Sequence, residues 1–149
     1  MRVLLDTNVV VSALLFFGPP RQLLNALSLP PFELWTSRPL LRELAATLAY
    51  PKLQTAVART GRTVEELVAA YVSQVFLAPE RLLLPVTFPT DPSDAAVIAA
   101  ANAVRAEWLI TGDRHLLSAR ETLACETLTV GDALIRVART ETPGSTLPE

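Results

Sequence analysis

Two kinds of hydrophobic pattern alternate along the chain: short unbroken apolar runs, and longer stretches with apolar positions every three or four residues. The first marks strands buried on both faces, the second helices with one buried side. "RVLLD" (2–6) is such a run, and a helix is expected from near Asn8 until Pro19-Pro20 breaks the chain after "LLFFG". "RQLLNAL" (21–27) then reads as a short amphipathic helix. "FELWTS" (32–37) sets Phe32, Leu34 and Thr36 against Glu33, Trp35 and Ser37, the period of a second strand. Ser37 is placed to cap a helix over "RPLLRELAATLAYPKL", with Leu40, Leu41, Leu44 and Leu48 as its buried stripe. After Gly61, Thr63 and Glu66 form a capping box for "VEELVAAYVSQVFL".

Further on, "LLLPV" (82–86) is strand-like but demoted by Pro85 to an edge or irregular piece. A small-residue helix is expected from about 92 to 105, within "TDPSDAAVIAAANAVRA". "EWLITGD" (107–113) is another apolar strand that ends, like the first, in a carboxylate. A short helix, a strand "ETLTV" (126–130) and a helix "GDALIRVA" (131–138) follow. Strands that alternate with helices predict an α/β fold, three layers deep (α/β/α), around a central and mostly parallel sheet. Residues 1–139 are expected to form one domain, and the Pro/Gly/Ser/Thr-rich residues 140–149 a flexible tail.

Composition narrows the chemistry. At 149 residues, half of them hydrophobic, the chain is long enough to bury a core without disulfide or metal staples. No apolar stretch reaches the roughly 18 residues of a membrane span, and the N-terminal run, broken at Asp6 and Asn8, is not a signal peptide. Cys125 is the only cysteine, which fits a cytoplasmic location. With one lysine, Lys52, and one histidine, His115, zinc sites of the Cys/His type have almost nothing to work with. A net charge of −2 argues against a broad nucleic-acid surface, but nearly all the positive charge is arginine, suited to bidentate phosphate contacts.

The acidic residues carry the strongest signal. In a parallel sheet, ligands bind at the carboxyl ends of the strands. Asp6 and Asp113 each close an apolar strand, Asp94 sits in the first turn of the small-residue helix, and Glu43 lies near the start of the helix after the second strand. Ionised carboxylates gathered at one edge repel unless protons or cations intervene, and hard divalent cations such as Mg²⁺ or Mn²⁺ are the usual partners. Plainer roles stand beside this one. Asp6 can cap a helix, Asp91, Pro92 and Asp94 fit N-cap, N1 and N3, Asp113 can be a turn residue, and Glu43 can pair with Arg38 or Arg42.

"LLDTNVVVSALL", "LLRELAATLAYPKL", "DPSDAAVIAAA" and "WLITGDRHLL" resemble, in order, the successive motifs of PIN domains. The resemblance runs from residue 2 to about 138 and is greatest to the bacterial toxin branch, similar to VapC toxins of toxin–antitoxin pairs. It implies a Mg²⁺- or Mn²⁺-dependent endoribonuclease with Asp6, Glu43, Asp94 and Asp113 as its acids. Asp6, Asp94 and Asp113 would hold the metal, Glu43 would orient or deprotonate the attacking water, and Asn8 and Thr111 would support the site. Cleavage would leave a 5′-phosphate and a 3′-hydroxyl. Asp91 is an extra acid for which a helix-cap role is favoured. One departure stands out. Many such toxins carry another acid two positions beyond the fourth, where this chain has His115, which puts a second metal ion in doubt. Arg38, Arg42, Arg114 and His115 flank the acids and are candidates for holding the RNA backbone, with solvated faces or ion pairs as their plainer reading. The resemblance also implies a cognate antitoxin and a homodimer, with no membrane partner. The apolar excess of "VEELVAAYVSQVFL" serves either a dimer interface or the core, which periodicity does not separate.

Two other readings compete. A phosphate enzyme of the receiver or dehalogenase type also places an Asp at the end of its first strand. Here Asn8 stands where the dehalogenase motif has a second Asp, and Lys52 lies at a helix end rather than a strand end. The other is a non-catalytic PIN fold that binds RNA or protein, against which stands the presence of all four acids.

Overall fold

The N-terminal apolar run forms β1 (Arg2–Leu5), the central strand of a five-stranded sheet. The computed structural model describes residues 1–86 and 92–141 of the chain. β2 (Glu33–Thr36) and β4 (Trp108–Ile110) flank β1, so that Val3 stands opposite Leu34 on one side and Trp108 on the other. β3 (Phe76–Leu77) and β5 (Glu126–Leu128) form the edges, and every pairing is parallel, in the order β3-β2-β1-β4-β5.

Eight α-helices accompany the strands among the described residues: α1 (Thr7–Leu15), α2 (Pro19–Leu27), α3 (Arg38–Leu48), α4 (Gln54–Arg59), α5 (Val64–Val72), α6 (Pro92–Val104), α7 (Arg114–Ser118) and α8 (Val130–Glu141). Because successive side chains of a strand point to opposite faces, Val3 and Leu5 pack with Ile110, Leu34 and the apolar stripes of α1, α2, α5 and α8. Leu4 and Leu109 face the other way, onto Val97, Ala100, Ala101 and Val104 of α6 and Leu116 of α7. α3 spans both cores, with Leu40 in the second and Leu44 and Leu48 in the first. The result is the expected three-layer α/β/α arrangement with an all-parallel sheet. No helix among the described residues is long and apolar enough to cross a membrane.

Local chemistry sets most boundaries where the sequence places them. Ser37 caps α3 by accepting from the Leu40 N–H (3.3 Å), and the Thr63–Glu66 capping box starts α5. α6 ends with Arg105 in the left-handed region (φ 52°) and the Ala106 N–H on the Ala101 carbonyl, the six-to-one bond of a Schellman turn.

Three details differ from the pattern reading. Pro19 does not merely interrupt the chain but opens α2, since a proline at the first helical position gives up no intrahelical bond. α3 stops at Leu48, and a 3₁₀ turn over Pro51–Leu53 and α4 follow, because Pro51 cannot donate to a continuing helix. The helix over "VEELVAAYVSQVFL" ends at Val72. Its last residues, Phe76 and Leu77, are edge strand β3, and the Ala78 N–H beyond them bonds to the Thr36 carbonyl. Of the two outcomes open to "LLLPV", an edge piece or an irregular one, the second holds. Glu80–Leu82 form a 3₁₀ turn and residues 83–86 are irregular, the sheet edge beside β2 being already taken by β3. Asp91 and residues 142–149 lie outside the described residues.

Candidate active site

The sheet order reverses direction at its centre. From β1 the chain moves outward through β2 to β3, then crosses back to β4 on the far side of β1. In open parallel sheets, the crevice beyond the carboxyl ends of the two strands at such a reversal is the usual ligand site. Here those ends carry Asp6 after β1 and "TGD" (111–113) after β4.

Asp6 is the N-cap of α1. Its Oδ1 accepts from the Thr7 N–H (2.8 Å) and its Oδ2 from the Thr111 hydroxyl (2.7 Å). The same Thr111 oxygen accepts from the Asp113 N–H (3.0 Å), and Asp113 caps α7 by accepting from the His115 N–H (2.8 Å). Thr111 is fully buried, so its hydroxyl is committed to tying the two strand ends together. On the other side of Asp6, the Thr7 hydroxyl donates to Oε2 of Glu43 (2.9 Å). Thr111 thus joins the Asp113 main chain to Asp6 through its hydroxyl, and Thr7 joins Asp6 to Glu43 through its N–H and its hydroxyl, one network from three distant segments. Capping, one of the alternatives open for Asp6 and Asp113 on sequence grounds, is observed for both, and it leaves both acids at this edge of the sheet.

Asp94 reaches this edge by helix direction. The carboxyl end of α6 sits at the start of β1, where Arg2 donates to the Val104 carbonyl (2.9 Å). A helix of 13 residues is about 20 Å long, so its first turn lies at the opposite, carboxyl edge of the sheet. Asp94 is buried there, 6 % exposed.

Burial pushes the Asp6 carboxyl above its ordinary pKa. The charges of Glu43 and Asp113 push the same way, against the lowering effect of the Thr111 and Thr7 hydrogen bonds. Each Asp6 oxygen accepts one protein hydrogen bond and so retains a lone pair for a cation. The donor set is all hard oxygen, which suits Mg²⁺ or Mn²⁺. Among the described residues, no three Asp, Glu, His or Cys side chains stand close enough to hold an ion between them. Mg²⁺ is commonly held by one or two carboxylates with water completing its shell, and an arrangement spaced by threonines fits that mode better than a protein cage.

The remaining candidates are looser. Asn8 is exposed, with no side-chain hydrogen bond among the described residues, whereas its neighbour Thr7, not singled out from the sequence, is 5 % exposed and central to the network. A hydroxyl beside a capping acid carries no long-range signal of its own. Arg38 approaches Glu80 (3.9 Å) with both side chains largely exposed, a weak pair. Arg42, Arg114 and His115 are exposed and make no ion pair among the described residues.

Comparison with known proteins agrees with this architecture. A family model described as PIN domain matches residues 2–115, well over half of the chain. Among solved structures, a chain of the crystal structure of VapBC2 from Rickettsia felis, bound to a DNA fragment from their promoter, superposes with a TM-score of 0.60. The sequences are 15 % identical, and the match covers 87 % of this chain and 98 % of that one. At that identity the likeness bears on the fold alone. No match is found among curated proteins.

Proposed function

The chain belongs to the PIN-domain family, and on that premise we propose that it is a metal-dependent endoribonuclease, the toxin of a toxin–antitoxin pair acting in the cytoplasm. The observation that carries the reading is the linked set of Asp6, Glu43 and Asp113 at the sheet's reversal point, with the charges of Glu43 and Asp113 acting on Asp6. Like charges are gathered this way where a cation or a reacting phosphate is to be met.

Asp6, Asp94 and Asp113 would hold Mg²⁺ or Mn²⁺, directly or through water. When bound, such an ion polarises the phosphoryl oxygens and stabilises the charge that develops on them. Glu43, held by Thr7 through one oxygen, orients the attacking water with the other and takes its proton. In-line attack on phosphorus forms the new P–O bond as the bond to the 3′-oxygen breaks. The departing 3′-oxygen takes a proton from solvent, so the products are a 5′-phosphate and a 3′-hydroxyl. Thr111 keeps Asp6 aimed, Asn8 supports the site beside it, and Arg38, Arg42, Arg114 and His115 hold the RNA backbone. The proposed protein partners are a cognate antitoxin and a second copy of the chain.

Purified protein should cut RNA when Mg²⁺ or Mn²⁺ is added and stop with chelator. Asp6→Asn, Asp94→Asn, Asp113→Asn and Glu43→Gln should each reduce kcat by about 10²–10⁴-fold, the scale of losing a charge-stabilising or acid–base group. Undiminished cutting by these variants would falsify the mechanism. A second reading, a non-catalytic module that binds RNA or protein, draws on the absence of a close three-acid cluster among the described residues. Calorimetric titration with Mn²⁺ separates the two: no metal binding together with retained RNA or protein binding favours the module.

A further inference from the structure

We infer that Thr7 is a positioning residue for the hydrolytic step, its hydroxyl fixing which oxygen of Glu43 faces the attacking water; this deepens the ribonuclease reading above and rests on it. The usual partner of a helical threonine hydroxyl is the carbonyl one turn earlier in the same helix. Thr7 is the first residue of α1, and the residue four places before it is Val3, inside β1. The hydroxyl has no preceding turn to bond, and at 5 % exposure it has little access to water. A buried hydroxyl without a partner is costly, and the partner here lies 36 residues away on α3, Oε2 of Glu43 at 2.9 Å.

Three properties make this contact more than filler. Thr7 is β-branched, so few rotamers are open to it and the direction of its O–H is set by the backbone of α1. That backbone is itself fixed to the site, because the Thr7 N–H donates to Oδ1 of Asp6 (2.8 Å). One residue thus addresses two carboxylates at once, through its main chain to Asp6 and its side chain to Glu43. Glu43, half-buried in the middle of α3, has three rotatable bonds and would otherwise sample several orientations. With Oε2 held, Oε1 is left as the oxygen that takes the proton from water. Positioning of this kind acts on kcat, since it aligns the reacting groups without touching the RNA.

The test compares Thr7→Val, Thr7→Ala and Thr7→Ser in Mn²⁺-dependent cleavage of a defined RNA. Thr7→Val keeps the shape and removes the donor, Thr7→Ala removes donor and bulk, and Thr7→Ser keeps the donor. The Val and Ala variants should lose about 10–100-fold in kcat with KM for RNA changed less than about twofold, and the Ser variant should retain most of kcat. In a Glu43→Gln background, Thr7→Val should cost little more, because residues that act as one unit are not additive. The role is overturned if Thr7→Val matches the wild type, if Thr7→Ser is as impaired as Thr7→Ala, or if the Thr7→Val loss persists in full without Glu43. A wild-type chain that cuts no RNA under any metal condition overturns the ribonuclease reading and this role together. An active wild type with an indifferent Thr7→Val overturns the role alone.

Discussion

At the scale of the residue, Asp6 holds its carboxylate against its own preference. Its pKa is raised in the folded chain by burial first and by Glu43 and Asp113 after it. Between the ordinary carboxylate value of about 4 and that raised value, the native state holds more protons than the unfolded one. Stability therefore falls as pH rises through this window, and the cost persists at neutral pH. Asp6→Asn should accordingly melt at a higher temperature than the wild type at pH 7, with the gap closing near pH 3, since Asn caps a helix about as well as Asp. Added Mn²⁺ should raise the melting temperature of the wild type and leave the variant unmoved. A variant less stable than wild type at pH 7 would contradict this account of Asp6. Asp6, Glu43, Asp94 and Asp113 are legible from sequence because an acid at the tip of an apolar strand, or in the first turns of a following helix, is placed by the topology itself. Thr111 is legible only in part, and Thr7 not at all. What matters about each is a bond to a residue 36 or 105 positions away, and no local pattern encodes that.

At the scale of the element, α6 links packing to chemistry. Its inner face is Val97, Ala100, Ala101 and Val104, all buried, and the small side chains let the helix lie close to Leu4 and Leu109. Ala100→Leu would overpack this seam at a cost of about 1–3 kcal/mol, read as a lower urea midpoint. Because Asp94 rides on the same helix, RNA cleavage should fall with it. Asn102→Ala, on the exposed side, should stay within about 0.5 kcal/mol of wild type and keep its activity. The alternation of strands and helices was readable from hydrophobic period alone, and the caps from residue type and spacing, Ser37 ahead of α3 and Thr63 with Glu66 at α5. The passage from α5 to β3 was not. Two apolar residues at the end of a helical pattern carry no strand signal, and only the open edge of β2 gives their backbone a place to bond.

At the scale of the whole molecule, the apolar excess of residues 64–77 divides between two uses. Leu67 and Tyr71 enter the core, while Val72, Phe76 and Leu77 remain 45 %, 52 % and 44 % exposed on the β3 side of the sheet. If this face serves the proposed homodimer, sedimentation should find a dimer for the wild type and a monomer for Val72→Glu with little change in melting temperature. A dimer that survives Val72→Glu would move the interface elsewhere. The layer order and the parallel sheet followed from the sequence, but this division did not, since period alone cannot tell an inner neighbour from an outer one. The position of β1 has a consequence in time. Asp6 is synthesised well before the strand and hydroxyl that complete its surroundings, β4 and Thr111, which come 105 residues later. At about 5–20 residues per second, the growing chain spends roughly 5–20 s with Asp6 made and Thr111 still missing. Until Thr111 is made, nothing holds the second oxygen of Asp6, so the crevice proposed to cut RNA is completed only after synthesis has passed β4.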